Sequence, residues 1–329
     1  MLVSKRGLLY LAFLILLTLP PHAIGQEKEA IVYEAWLVHM ESAGGWVAAD
    51  KGFYGKVNVT GVQGGPGISP IQKVVADVKA GKIAFGSDYP ENIIRTREKE
   101  GINLVAVSVD FQTSAMRIIS WKPIKSAKEI KGNFGIWVGY DAKAKCAVGK
   151  GWEKQFTIQN QGEDIKPWLA RKWSLASAMT YNELITAQRE MKRMGKTFYT
   201  IDYKDLGISW MDNVLFTTEE IVKKYPDVVQ AVVTGRYKGF RWAYENPKET
   251  FEILQKINES LGFVHEMDAV APMKALMITP ETRKYGLGYI FPKKWEDVAR
   301  DMFKAGLFEK MPDVKKICIE KFASGVMPK

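Results

Sequence analysis

Residues 57–88 read VNVTGVQGGPGISPIQKVVADVKAGKIAFGSD, and the class of fold is decided there. Val57 to Val62 is a short β-branched run, which predicts a strand, and Ile83 to Ser87 is a second. Between them Ser69 is placed to cap a helix and Pro70 to occupy its first turn. Ile71, Val74, Val75 and Val78 then form one apolar face, and Gly81 ends the helix. Strand, helix and strand in about thirty residues is the unit of a parallel sheet covered by helices. Gly64-Gly65-Pro66-Gly67 lacks the glycine spacing of a dinucleotide loop, so it is expected to be a tight turn lining a cleft.

The same alternation continues on both sides. Ile31 to Val38 precedes this unit as a first strand, and Leu104 to Phe111 follows it as a fourth. A second series, Met116–Trp121, Phe134–Gly139, Phe156–Gln159, Leu175–Tyr181 and Phe198–Tyr203, alternates with polar helix-compatible stretches and suits a second sheet. The last third reads as helical: Thr217 and Glu220 are spaced as a capping box, Pro226 ends one helix and Asn246-Pro247 opens another. No repeat, low-complexity tract or long linker interrupts the chain. The expectation is an α/β protein of two lobes joined by short crossings.

Lys5 and Arg6, the apolar run Leu8 to Leu19, the pair Pro20-Pro21 and the small-residue site Ala23-Ile24-Gly25 have the order of a cleaved signal peptide over residues 1–25. The run is shorter than the roughly 20 residues a membrane-spanning helix needs, and no cysteine stands beside the site to carry a lipid. A periplasmic or secreted product is expected. Cleavage lowers the formal net charge from +10 to +8, since Lys5 and Arg6 leave with no acid. Lys and Glu are interspersed rather than gathered into a stripe, so no nucleic-acid partner is expected. Cys146 and Cys318 are far apart, and only His39 and His265 survive cleavage. Neither a metal cluster nor a His-based catalytic constellation assembles from these, and no cofactor is expected.

Candidate binding residues follow from topology, because ligands of open α/β sheets sit outside the carboxyl ends of strands. Trp36, Tyr89, Phe111, Trp137, Tyr140 and Tyr181 stand at or just beyond such ends. Aromatic faces on two closing lobes make a slot for a planar ring. Asp88, Gln112, Asn182 and Glu183 accompany them and offer donors and acceptors to a heterocycle edge. Asn182 and Glu183 equally suit a helix start.

Gly44 to Tyr54 (GGWVAADKGFY), Pro226-Asp227 and Asn246-Pro247-Lys248-Glu249 resemble the solute-binding proteins of ABC importers. The branch is the one that includes binders of riboflavin, thiamine's pyrimidine precursors and alkanesulfonates. Gly64 to Gly67, Asp110-Phe111-Gln112, Gln161 to Asp164 and Ala176 to Glu183 look most like the riboflavin and pyrimidine-precursor binders. The resemblance implies the two-lobed periplasmic-binding-protein fold of type II, each lobe a mixed sheet flanked by helices with the ligand cleft between the lobes, and with residues 26–112 plus 213–329 in one lobe and 113–212 in the other. It implies a non-catalytic, monomeric protein that delivers a flat nutrient, riboflavin first and a pyrimidine precursor or sulfonate as alternatives, to a membrane permease. It adds Trp36 and His39 as contacts from the first strand's end. The stretch Tyr140 to Trp152, rich in Lys and Gly and containing Cys146, departs from the family pattern. An enzyme of the thiamine-pyrimidine-synthase type shares the scaffold and is the alternative from another class.

Overall fold

The computed structural model describes residues 27–328, so the expected signal peptide lies outside the described residues. Strands β1 (Lys28–Tyr33), β2 (Val57–Val62), β3 (Ala84–Asp88), β4 (Leu104–Phe111), β5 (Met116–Ser120), β6 (Gly132–Ile136), β7 (Phe156–Asn160), β8 (Leu175–Met179), β9 (Tyr199–Asp202) and β10 (Asp212–Thr218) form two mixed sheets. The first has the order β2-β1-β3-β10-β4 and the second β7-β6-β8-β5-β9. In the first, β10 runs antiparallel to both of its neighbours. In the second, β5 does so.

The helices are α1 (Ala43–Asp50), α2 (Pro70–Lys79), α3 (Pro90–Glu100), α4 (Ala142–Val148), α5 (Lys166–Leu169) and α6 (Glu183–Met194), then α7 (Glu219–Lys224), α8 (Pro226–Glu245), α9 (Pro247–Gln255), α10 (Phe263–Met277), α11 (Pro280–Tyr285) and α12 (Pro292–Lys304). They flank both sheets, and the architecture is that of a periplasmic binding protein. None is long and apolar enough to cross a membrane. Helix α2 begins as its sequence dictates: the Ser69 hydroxyl accepts the Gln72 N–H at 3.4 Å and Pro70 is the first helical residue. Gly81 follows the helix with φ +81°, a conformation that costs glycine nothing. Cys146 and Cys318 are free thiols.

Four expectations are corrected. The first strand ends at Tyr33 rather than Val38, because its partner β2 ends at Val62, which pairs with Tyr33. The Glu34 N–H closes the ladder on Val62 O at 2.8 Å, and residues 34–39 become a loop. Strand β10 was not expected at all in a region read as helical. Thr217 does not cap a helix; it lies inside β10 and donates to Ala84 O at 2.7 Å, and Thr218 caps α7 by accepting the Ile221 N–H. The Gly64–Gly67 turn packs behind the 34–36 loop, its Gly64 N–H bonded to Trp36 O at 2.8 Å, and does not line the cleft. Gly64 is required by that contact, since a Cβ there would sit 2.3 Å from Glu34 O.

The first sheet is tied to α8 by one buried cation. Arg236 donates to both oxygens of Glu34, at 2.6 and 3.0 Å, and to Asp110 at 2.7 Å, while the Tyr237 hydroxyl adds a bond to Asp110 at 2.8 Å. All these groups are buried, and nearly every charged oxygen has a donor.

Candidate functional site

Loops leaving the carboxyl ends of strands in both sheets converge on one slot. Trp36 comes from the loop after β1, Tyr89 from the turn between β3 and α3, and Trp137 and Tyr140 from the loop after β6. Tyr181 comes from the turn between β8 and α6. Ala35, Glu41, Met179, Asn182, Glu183 and Asn213 complete a lining around about 390 Å³ of empty space, its opening to solvent included. The rings brace one another: Tyr89 meets Tyr140 edge-on at 4.6 Å, and Tyr140 meets Trp137 at 6.3 Å, also edge-on. Trp137 is held by its indole N–H, which donates to Gly162 O at 3.0 Å, and β6 ends at Ile136, so 137–139 lie outside the strand expected to run to Gly139.

The structure gathers Trp36, Tyr89, Trp137, Tyr140, Tyr181, Asn182 and Glu183 at the slot and turns the other candidates away from it. Phe111 is wholly buried behind the slot, its ring 5.7 Å from that of Tyr181. Asp88 serves the start of α3, accepting the Tyr89 N–H at 2.7 Å and the Asn92 amide at 2.8 Å, and burial pushes its carboxyl up to about 6. Gln112 is spent on the scaffold: its side-chain amide donates to Tyr289 O at 2.8 Å, and Lys294 donates to its backbone carbonyl at 2.7 Å and to its side-chain Oε1 at 3.4 Å. His39 lies next door, in a smaller space of about 190 Å³ shared with His265, Glu266 and Ala269. Its Nδ1 is 2.9 Å from Glu266 Oε1. Burial disfavours the imidazolium, but the Glu266 bond and the nearby charges of Glu266, Glu41 and Glu183 outweigh it, and the pKa is raised.

Two acids face the slot. Glu183 opens α6; its Oε2 accepts the Met179 N–H at 3.0 Å and its Oε1 the Asn182 amide at 3.0 Å. Glu41, just before α1, shares the slot with the Tyr181 hydroxyl, which helps to hold its pKa down against burial. Burial pushes both carboxyls up to about 7. Asn213, in β10, lines the slot with 5% of its surface exposed and a φ of +50°. No side-chain hydrogen bond reaches it among the described residues.

Behind the aromatic wall, Lys143 of α4 is fully buried and reaches Glu91 of α3 at 3.1 Å and Asp212 of β10 at 2.8 Å. Asp212 also accepts Ser114 Oγ and the Ala115 N–H, each at 2.8 Å, on the crossing between the sheets. The cation lies 4.8 Å from the Tyr89 ring centre, so it supports the wall and is neutralised there. At the rim, His265 Nε2 meets Asn182 Oδ1 at 3.0 Å and Arg189 meets Asp268 at 2.5 Å, both joining α6 or its entry turn to α10. Among the described residues, no three His, Cys, Asp or Glu side chains are grouped to hold a metal ion.

Sequence reasoning missed Glu41, Met179 and Asn213. Glu41 carries a signal in hindsight: an acid two residues before the apolar start of α1 can face the strand ends as readily as solvent. Asn213 carries none, because its role depends on a left-handed backbone inside an unforeseen strand.

Comparison with known proteins places these features. The family model described as NMT1/THI5 like matches residues 39–250. No curated protein matches the chain. The periplasmic nitrate-binding protein NrtA from Synechocystis PCC 6803 superposes with a TM-score of 0.66 at 12% identity, over 91% of this chain and 87% of its own. The ligand-binding component of an ABC-type import system from Staphylococcus aureus, with zinc bound, gives 0.63 at 14% identity, over 92% and 100%. The periplasmic aliphatic sulphonate binding protein SsuA from Escherichia coli gives 0.61 at 12% identity, over 88% and 91%.

Proposed function

The chain belongs to the NMT1/THI5-like family, and on that footing we propose that it is the exported solute-binding component of an ABC importer. In this reading it closes two lobes on a flat heterocyclic nutrient of the riboflavin or pyrimidine-precursor type and hands it to a membrane permease. The observation that carries the reading is the convergence of Trp36, Tyr89, Trp137, Tyr140 and Tyr181, from loops of both sheets, on one slot. Each ring stacked on a planar ligand adds about 0.5–1.5 kcal/mol beyond the area it buries. The lobes are 26–112 plus 213–329 and 113–212, and the crossings at 112–115 and 207–211 are short enough to act as hinges.

A sulfonate ligand fits less well, because the slot lining holds Glu41 and Glu183 and no Lys or Arg. Catalysis of the pyrimidine-synthase type gains no support from the site, where the wall lysine is already neutralised by Glu91 and Asp212.

Thermal melting of the purified chain with riboflavin, 4-amino-5-hydroxymethyl-2-methylpyrimidine, thiamine and alkanesulfonates tests the proposal. A ligand held only by the folded state adds about 2.7 kcal/mol at 100 times its dissociation constant. One flat heterocycle raises the melting temperature and is recovered unchanged. A melting temperature indifferent to all four overturns the binding reading, and turnover of any of them replaces it with the enzyme reading.

A further inference from the structure

The stretch Tyr140 to Trp152, which departs from the family pattern, contains helix α4, and α4 carries a lysine across the boundary between the lobes. Lys143 belongs to the 113–212 part of the chain, Glu91 to the first turn of α3 in the other part, and Asp212 to the end of the second crossing. The ammonium lies 3.1 Å from Glu91 Oε1 and 2.8 Å from Asp212 Oδ1, and all three side chains are wholly buried. The rings of Tyr89 and Trp210 lie 4.8 and 5.3 Å from it. Burial works against its charge, but Asp212 and Glu91 outweigh burial and its pKa is raised.

The two acids hold this cation differently. Asp212 Oδ2 is fixed to the first crossing by Ser114 Oγ and the Ala115 N–H, each at 2.8 Å, so Asp212 belongs to the hinge. Glu91 travels with α3; its Oε1 accepts one bond from Lys143, and its Oε2 is buried with no hydrogen-bond partner. Burial raises the Glu91 pKa and Lys143 opposes that rise. Two carboxylates therefore share one cation, and the oxygen left over is on the side that separates when the lobes part. Opening gives that oxygen to water, which makes the Glu91 end the releasable one.

A buried tie of this kind fixes geometry more than it adds stability. The cost of taking the charges out of water offsets most of their attraction, whereas removing one partner strands the others. The closed arrangement is thus compatible with Glu91 and Asp212 only while the ammonium stands between them. The other ties do not have this property. Arg236, Glu34 and Asp110 lie in one lobe and stay together whatever the lobes do. Arg189 and Asp268 do join the lobes, but their side chains are 41% and 53% exposed, so water screens the pair and it adds little to closure.

We propose that Lys143 is the closure key of this protein: with Asp212 as its anchored partner and Glu91 as its releasable one, it fixes how the two lobes meet and sets the fraction of the ligand-free chain that is closed. The inference rests on the reading of two lobes that close on a ligand. Lys143 does not line the slot, so it is a positioning residue. It acts on binding through the lobe equilibrium, since apparent affinity is intrinsic affinity scaled by the fraction of the protein that is competent to bind.

Small-angle scattering of the ligand-free chain compares wild type with Lys143→Met, Lys143→Met/Glu91→Gln and Arg189→Ala, each first shown by melting to be folded. Lys143→Met strands two acids in the closed arrangement and raises the radius of gyration. Adding Glu91→Gln removes one stranded charge and brings the radius back toward that of wild type, and Arg189→Ala leaves it unchanged. Titration with riboflavin and with 4-amino-5-hydroxymethyl-2-methylpyrimidine shows binding weakened about tenfold or more in Lys143→Met and partly recovered in the double variant. A lysine that only packed the wall would weaken binding without enlarging the ligand-free particle, and Glu91→Gln would not repair the loss. An unchanged radius in Lys143→Met, no return in the double variant, or an equal expansion in Arg189→Ala overturns the inference. If Lys143→Met fails to fold, Glu91→Lys, which sets a second cation against Lys143 across the lobes, enlarges the ligand-free particle, and a wild-type radius there overturns the inference. The scattering needs no ligand, so failure of both probes to bind overturns the heterocycle reading separately. A radius that changes on binding but not in the variants overturns the closure key alone.

Discussion

Two regions of this molecule bury acids, and they do so in opposite ways. Under α8, Glu34 and Asp110 share Arg236 and take further bonds from its guanidinium and from Tyr237, so buried charge is balanced and its hydrogen bonds are made. At the slot, Glu41 and Glu183 face a common space with no cation between them and burial pushes both carboxyls up to about 7. The pKa of Arg236 is raised well above its usual value: burial works against its charge, and the two acids outweigh that penalty. Buried acids paired with a cation read as scaffold, and acids that face an open space without one are available to a partner. The Lys143 site balances its charge in the same way where the crossing between the sheets meets α3 and α4, but it leaves Glu91 Oε2 buried without a hydrogen-bond partner.

The largest contrast is expected from removing the central cation. Arg236→Met leaves Glu34 and Asp110 buried and unpaired, which should lower unfolding stability by about 3–5 kcal/mol. Glu41→Gln removes a charge that has no counterion and should cost less than about 1 kcal/mol. Urea unfolding midpoints of the two variants at pH 7 check this. Equal losses would show that the slot acids are as structural as the α8 network.

The same contrast explains what could be read from the chain. Strands β2 and β4 match the expected runs to the residue, because turn residues bound them and their β-branched content is high. Helix α2 was legible through Ser69, Pro70 and Gly81. Strand β10 was not: Asp212 to Thr218 is buried on both faces, so it shows no alternation, and its pairing with β3 and β4 joins residues about a hundred positions apart. At the slot, the aromatic positions follow from strand ends, whereas polar side chains beside them are ambiguous. Asp88 and Gln112 stand next to Tyr89 and Phe111 but use their polar atoms on the scaffold, Asp88 on the start of α3 and Gln112 on the carbonyls of Val109 and Tyr289. Asn213 could not be found without its backbone torsion.

A second, smaller effect concerns pH. An acid whose folded pKa is raised binds more protons folded than unfolded, so its contribution to stability is full below the unfolded value of about 4.3 and is lost as pH rises through the folded one. Glu41 and Glu183, at about 7, should therefore make the ligand-free protein less stable at pH 8 than at pH 5.5, by on the order of 1–3 kcal/mol. Asp88, raised to about 6, and His39, also raised, act in the same direction; His265, lowered mainly by burial, acts against them. Melting temperatures across this range should fall with pH, and the slope should flatten in Glu41→Gln. An unchanged slope in the variant would assign the pH dependence elsewhere and weaken the contrast with the α8 network.

The smallest effect is the most discriminating between strain kept for packing and strain kept for binding. Among the described residues, Arg171 and Asn213 are the non-glycine positions with positive φ, at 58° and 50°. Arg171 is exposed in a turn after α5, whereas Asn213 is buried at the slot. Asparagine tolerates this conformation better than most residues, so the strain is about 1 kcal/mol at most. Asn213→Gly relieves it but frees the unfolded backbone, and the two effects nearly cancel, leaving stability within about 0.5 kcal/mol of wild type. If the amide were kept for packing, its loss would also be felt in the empty protein. If it is kept for the ligand, the empty protein is indifferent and ligand affinity falls by about threefold to tenfold, the worth of one hydrogen bond. Paired melting and calorimetric titration of Asn213→Gly separate these, and a destabilised variant with wild-type affinity would place Asn213 with the scaffold.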